Sequence, residues 1–80
     1  MTASSITEKR IKKLFVSIDN ELAEKNILKS ISQIRGDKSK LNTNEKSEIA
    51  QIISFGIAQR TIKNPRILNN LLSLQQHFEP

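Results

Sequence analysis

The side chains able to do proton-transfer or covalent chemistry are few and poorly placed for it. The single histidine, His77, lies three residues from the end of the chain with only Glu79 as a nearby acid, and reads as a solvated or packed terminal side chain, not a general base. Asp19 and Glu21 stand two residues apart, a spacing that points them to different parts of a helix surface. Glu45 and Glu48 can share a face, but carboxylates at a helix start are expected for the macrodipole alone. Gly36 and Gly56 are twenty residues apart, so no glycine-rich phosphate loop exists. There is no cysteine, which removes disulfides, thiolate metal sites and thiol nucleophiles. No catalytic residue, metal site or cofactor is expected, and the chain is read as a non-enzyme.

The chemistry that remains is charge. Thirteen Lys and Arg against eight Asp and Glu give a net +5, and residues 1–40 hold nine of the cations and five of the acids. Lys9, Lys12 and Lys13 fall close together on one helix surface by their three- and four-residue spacing, with Arg10 to the side. This Lys9, Arg10, Lys12, Lys13 patch is the candidate contact with phosphates or an anionic membrane surface, against the bland alternative of a solvated helix face. Nucleic-acid binding would also want a reading helix, and the last segment offers Arg66, Asn69, Asn70, Gln75 and Gln76. The polar loop at 36–43 fits the tight turn of a helix-turn-helix poorly, and three Phe with no Tyr or Trp give little for base stacking. Arg35-Gly36-Asp37 reads as a helix stop and not an adhesion tripeptide. Ser39-Lys40-Leu41 is internal and therefore no peroxisomal address.

The elements that must carry these residues are helical. Eighty residues make one domain, and 36% hydrophobic with 26% charged residues is ordinary for a globular protein. A chain of this size buries only about 60–65% of the surface it exposes when unfolded. The opening residues lack the apolar core of a signal peptide, and the most apolar stretch, residues 52–58, is far shorter than the roughly 20 residues of a spanning helix. A cytoplasmic protein is expected, with membrane association through the basic patch as an option.

Ile11, Leu14, Phe15, Ile18 and Leu22 form one stripe of a 3.6-residue period and predict a helix over about 6–24, capped near Ser5. Lys25 and Asn26 interrupt the stripe, so a break is placed at 24–26, with Asn26 as the cap of a second helix over 26–35. A single bent helix over 6–35 is the alternative. Arg35-Gly36 closes it with Gly36 as a C′ residue. A polar loop follows. Asn42 with Glu45 resembles a capping box that opens a third helix over 43–62, with Ile49, Ile52, Ile53, Ile57 and Ala58 inward and Phe55 and Ile62 on a neighbouring stripe. Gly56 either permits a close helix crossing or is simply tolerated. Asn64-Pro65 opens the last helix over 65–78. Short connections between four amphipathic helices predict a small all-α antiparallel four-helix bundle.

The last helix carries Ile67, Leu68, Leu71, Leu72, Leu74 and Phe78, more than one face of a small bundle needs. It is either packed on two sides or partly a docking surface, with Phe78 beyond its end as the residue free to anchor on a partner. The same excess leaves a homodimer open.

This arrangement resembles the small cytosolic immunity proteins that protect bacteria from class II (pediocin-like) bacteriocins. The likeness runs over residues 7–78, through the early amphipathic helix Ile11-Lys-Lys-Leu-Phe-Val-Ser-Ile18 and the proline-opened segment Asn64-Pro65-Arg-Ile-Leu-Asn-Asn-Leu-Leu72. The chain departs from the family in its short tail after Phe78 and its lack of Tyr and Trp. The resemblance implies a non-enzymatic bundle that engages the membrane receptor complex, a mannose phosphotransferase transporter with bacteriocin bound, from inside and blocks the pore. Arg66, Asn69, Asn70, Gln76 and Phe78 are then the candidate partner contacts. Two other classes compete: a small DNA-binding regulator using the basic faces of the first and last helices, and an antitoxin-like protein inhibitor.

Overall fold

Capping chemistry sets where the helices begin. The computed structural model describes residues 2–80. In it α1 (Ala3–Asp19) is capped by Thr2, whose side-chain oxygen accepts from the backbone N–H of Ser5. The helix therefore starts three residues earlier than the periodicity suggests, and Ser5 lies inside its first turn. It also stops earlier. Asn20 caps its C-terminus, and Glu21 adopts a left-handed φ of 54° that turns the chain back. Leu22 consequently falls outside the helix and is half exposed instead of extending the apolar stripe.

The first two helices are separate, with the break at residues 20–23 and not at 24–26. α2 (Glu24–Arg35) has Ala23 as its N-cap residue, and Asn26 is already in its first turn, donating its N–H to Ala23 O. Gly36 does not end α2 in a left-handed stop. Its φ and ψ are −67° and −17°, and the chain tightens into a 3-10 helix (Gly36–Lys40) where a loop was expected. The capping box forms as read: Asn42 Oδ1 accepts from Glu45 N–H and Glu45 Oε1 from Asn42 N–H, both at 2.9 Å. α3 (Thr43–Ala58) ends four residues short of the expected boundary, and Ile62 packs on the core from the connecting segment. In α4 (Pro65–Phe78), Asn64 Oδ1 accepts from Arg66 and Ile67 N–H, with Pro65 at the first helical position.

The four α-helices form the all-α bundle expected. α1 and α2 make one antiparallel hairpin, α3 and α4 another. The hairpins stack with α1 beside α3 and α2 beside α4. Residue pairings across the stack run in one direction. Phe15 meets Gly56 and Asp19 meets Arg60 along α1/α3, while Glu24 meets Arg66 and Arg35 meets Ser73 along α2/α4. α1 and α4 therefore occupy opposite corners. Between the hairpins lies a core of Ile11, Leu14, Phe15, Ile27, Ile31, Ile34, Leu41, Ile49, Ala50, Ile53, Ile67, Leu71, Leu74 and Phe78.

Three details revise the apolar assignments. Phe78 is the last residue of α4 and is fully buried, so it closes the core and is no free anchor. Most of the excess of α4 is likewise absorbed by packing on both α2 and α3, leaving Leu72 as its exposed large apolar residue. Phe55, by contrast, points to solvent.

The close approach at Gly56 is real. A Cβ there would stand 2.9 Å from Phe15 Cδ2 and closer still to Cε2 and Cζ, so the ring fills the space a side chain would need. Replacing Gly56 with alanine should cost about 1–2 kcal/mol net, overpacking outweighing the gain of about 1 kcal/mol in helix propensity. Gly36→Ala should do the opposite, stabilising by about 0.5–1 kcal/mol, since its backbone is right-handed and nothing lies within 4 Å of the new Cβ. Urea unfolding of both variants checks the opposite signs; a G56A protein as stable as the parent would remove the close crossing from the account.

Candidate anionic-surface site

α1 has two working faces. Its inward stripe enters the core, and Lys9, Arg10, Lys12 and Lys13 are all exposed on the rest of its surface. They are not equivalent. Lys12 pairs with Glu8 one turn back at 3.4 Å. Arg10 is committed to structure: its Nη1 lies 2.6 Å from Asp37 Oδ1, and the Asp37 side chain is 6% exposed against 47% for Arg10. Thr7, itself buried, donates its hydroxyl to Asp37 Oδ2 at 3.1 Å. The acid of the supposed helix stop is thus the buried link that ties the 3-10 helix to α1. Its burial is tolerated because both oxygens are hydrogen-bonded, one to a cation.

The packing of α1 on α2 enlarges the patch beyond the sequence reading. A shallow groove of about 200 Å³ between them is lined by Arg10, Lys13, Leu14, Ser17, Ser30, Gln33 and Ile34. From Gln33, the exposed Lys29 and Lys25 follow at four-residue intervals along α2. Lys13, Lys25 and Lys29 form no ion pair among the described residues.

Most carboxylates of the hairpin are held by partners. Glu8 is held by Lys12, Asp19 by Arg60 of α3, Glu24 by Asn64 and Arg66 of α4, and Asp37 is buried; Glu21 lies in the turn at one end. Between that turn and the 3-10 helix the exposed carboxylates of the hairpin are each paired, Glu8, 43% exposed, with Lys12 of the patch itself and Asp19, 52% exposed, with Arg60. The Lys25/Lys29 spacing was visible in the sequence; that α2 packs along the Lys13 side of α1 was not.

The expected partner contacts on α4 do not form one surface. Arg66 and Asn70 lie toward α2, Arg66 bonded to Glu24 Oε2 at 3.1 Å and Asn70 Nδ2 to the carbonyl of Arg66 at 2.8 Å. Asn69 and Gln76 are exposed on the outward face, and Phe78 is in the core. Because α1 and α4 occupy opposite corners, the exposed amides and the basic patch face away from each other. His77 is packed: its Nε2 lies 3.1 Å from Arg35 O, and its ring stands edge-on to Phe78 at 5.5 Å.

A second concavity, about 380 Å³, opens at the end of the bundle where the two hairpin turns meet, floored by Ile18, Ile27, Ile62 and Ile67 and rimmed by Leu22 and charges of both signs. Among the described residues no group of three or more His, Cys, Asp or Glu could hold a metal, and no helix is long and apolar enough to cross a membrane.

Comparison with models of known protein families, with curated proteins and with solved structures finds no match to this chain.

The Thr7–Asp37–Arg10 link yields a stability prediction. Asp37→Ala should destabilise the fold by about 2 kcal/mol, from the lost charge-assisted bonds to Arg10 and Thr7, although the Thr7 hydroxyl keeps the carbonyl of Ala3 as an acceptor. Arg10→Gln should cost less than about 2 kcal/mol, since half of that side chain is in water, yet leaves the buried carboxylate without its cation. Chemical denaturation of the two single variants and the double variant tests the link. Strictly additive effects would mean that the pair does not interact.

Proposed function

We propose that this chain is a non-enzymatic bacteriocin immunity protein, acting in the cytoplasm at the inner face of the membrane, where it engages a receptor-bound pore-forming peptide of the pediocin-like class and blocks the pore. The observation that carries the reading is the outer surface of α1 and α2, where cations outnumber carboxylates and the exposed Glu8 and Asp19 are paired, an arrangement suited to approach an anionic leaflet. The order of four helices, with Asn64-Pro65 opening the last, is the architecture that the resemblance implies. The partner is a receptor of the mannose phosphotransferase type carrying its bacteriocin.

A DNA-binding regulator using the first and last helices fits the arrangement less well. The basic patch and the exposed amides of α4 lie at opposite corners, so one straight duplex cannot meet both. Arg66, the only arginine of α4, is also tied to Glu24.

Expression in a sensitive lactic-acid-type host, challenged with a panel of pediocin-like peptides, is expected to give survival against one or two of them. Lys9, Lys12 and Lys13 changed together to Glu should weaken affinity for an anionic leaflet on the order of a hundredfold and abolish protection. Arg10 is left unchanged in that variant because altering it would unpair Asp37. Uniform killing across the panel, with the protein confirmed soluble and folded, would reject the immunity reading.

A further inference from the structure

The exposed side of α1 is not uniformly polar. Its outward residues read Ile6, Lys9, Lys13 and Val16, spaced by three, four and three, a second helical stripe opposite the one that fills the core. Ile6 is 42% exposed and Val16 56%. Across the α1/α3 seam stands Phe55, at 64% the most exposed large apolar side chain among the described residues. Val16 follows Phe15 by one residue, and Phe55 precedes Gly56 by one, while Phe15 and Gly56 face each other between helices running the same way. A rotation of about 100° per residue, taken forward on one helix and backward on the other, turns both side chains to the same outer side of the seam, away from the core.

We propose that this side of the bundle is a lipid-contacting surface: Val16, Phe55 and Ile6 enter the interfacial layer of an anionic bilayer while Lys9, Lys12 and Lys13 meet its headgroup phosphates. The inference rests on the anionic-surface part of the function proposed above, and adds the lipid chemistry, the orientation of the bundle and the side chains that penetrate. Charge complementarity selects an anionic partner, and the interleaved apolar residues select lipid over nucleic acid. A phosphodiester backbone offers lysines a partner but gives Val16 and Ile6 nothing to bury against, whereas the headgroup boundary takes both. Core packing already holds α1 and α3 in place, so no helix has to fold at the membrane and the surface is presented ready-made.

The test is co-sedimentation of the full chain with vesicles of phosphatidylglycerol and phosphatidylcholine, against vesicles of phosphatidylcholine alone. Binding is expected only to the anionic vesicles. Val16→Ser with Phe55→Ser should weaken it on the order of tenfold and leave the salt dependence unchanged. Lys9→Gln with Lys13→Gln should weaken it roughly thirtyfold and flatten the salt dependence. All four positions are exposed, and unchanged helical circular dichroism and melting would confirm the fold of each variant. If V16S/F55S bound like the parent, contact would be purely electrostatic and the proposed surface would fall. Tight binding to duplex DNA with none to anionic vesicles would also overturn it, in favour of nucleic acid. The bacterial survival assay separates this inference from the function above. Vesicle binding that follows the predicted variant pattern in a protein that protects no host would uphold the lipid surface and reject immunity. Full protection by a V16S/F55S protein that retained anionic-vesicle binding would leave immunity standing and overturn the lipid insertion.

Discussion

The contact on which the stack of hairpins depends is the ring of Phe15 lying against Gly56. It brings α1 and α3 closer than any side chain at position 56 would allow, and a single arginine clasps it. Arg60 donates Nη1 to the carbonyl of Gly56 at 2.5 Å and reaches Asp19 through Nε and Nη2 at 2.9 and 3.2 Å, its guanidinium centred 4.5 Å from the Phe15 ring centroid. One cation thus satisfies a carbonyl near the end of α3, pairs with the last residue of α1 and covers the ring between them. At the other end of the stack, Asp37 performs the corresponding task, joining the 3-10 helix to α1 through Thr7 and Arg10.

Two consequences follow for the surface. Fixing Phe15 against Gly56 sets the rotation of both helices, and so determines that Val16 and Phe55 turn outward. The clasp also consumes Asp19, as the 3-10 link consumes Asp37 and the α2/α4 contact consumes Glu24. Three of the five acids in the first forty residues are therefore used to hold elements together, and among the described residues Arg10 is the cation of that half in an ion pair of stated geometry between elements. A modest net charge becomes a one-sided one because the acids are the structural partners and most of the lysines are not.

The four helices and most of their inward residues were legible in the sequence because each signal was local, although Ala58, placed inward by its spacing, is exposed. Asn64-Pro65 and the Asn42–Glu45 pair satisfy orphan N–H groups within their own turns, and the spacing of Ile11, Leu14, Phe15 and Ile18 needs no knowledge of the partner helix. The errors fall where the deciding contact is long-range. Leu22 continues the spacing of α1, but the left-handed Glu21 has already turned the chain. Gly36 looks like a helix stop, yet the pull on Asp37 from Thr7 and Arg10 favours a continuing 3-10 turn over a left-handed cap. Phe78 looked free because its only neighbours in sequence are Glu79 and Pro80; its actual neighbours are the core residues of the other helices. The basic cluster of α1 was visible, but its extension onto Lys25 and Lys29 depends on how α2 rests against α1.

α1 is where these threads meet, because its two stripes answer to different solvents. The inward stripe is apolar apart from the buried Thr7 and explains the fold. The outward one carries two basic residues between two apolar ones, a pattern that neither core packing nor simple solvation requires: a helix face meant only for water has no use for Val16 more than half exposed, and one meant for the core would not carry Lys9 and Lys13. Exposed apolar residues scattered singly call for no explanation, as Leu72 on α4 illustrates. Val16 and Phe55 differ in lying on one side of one seam, beside the densest run of cations in the chain. A surface that is apolar at its points and cationic between them is complementary to an anionic lipid interface, where hydrocarbon and phosphate lie within a few ångströms of each other.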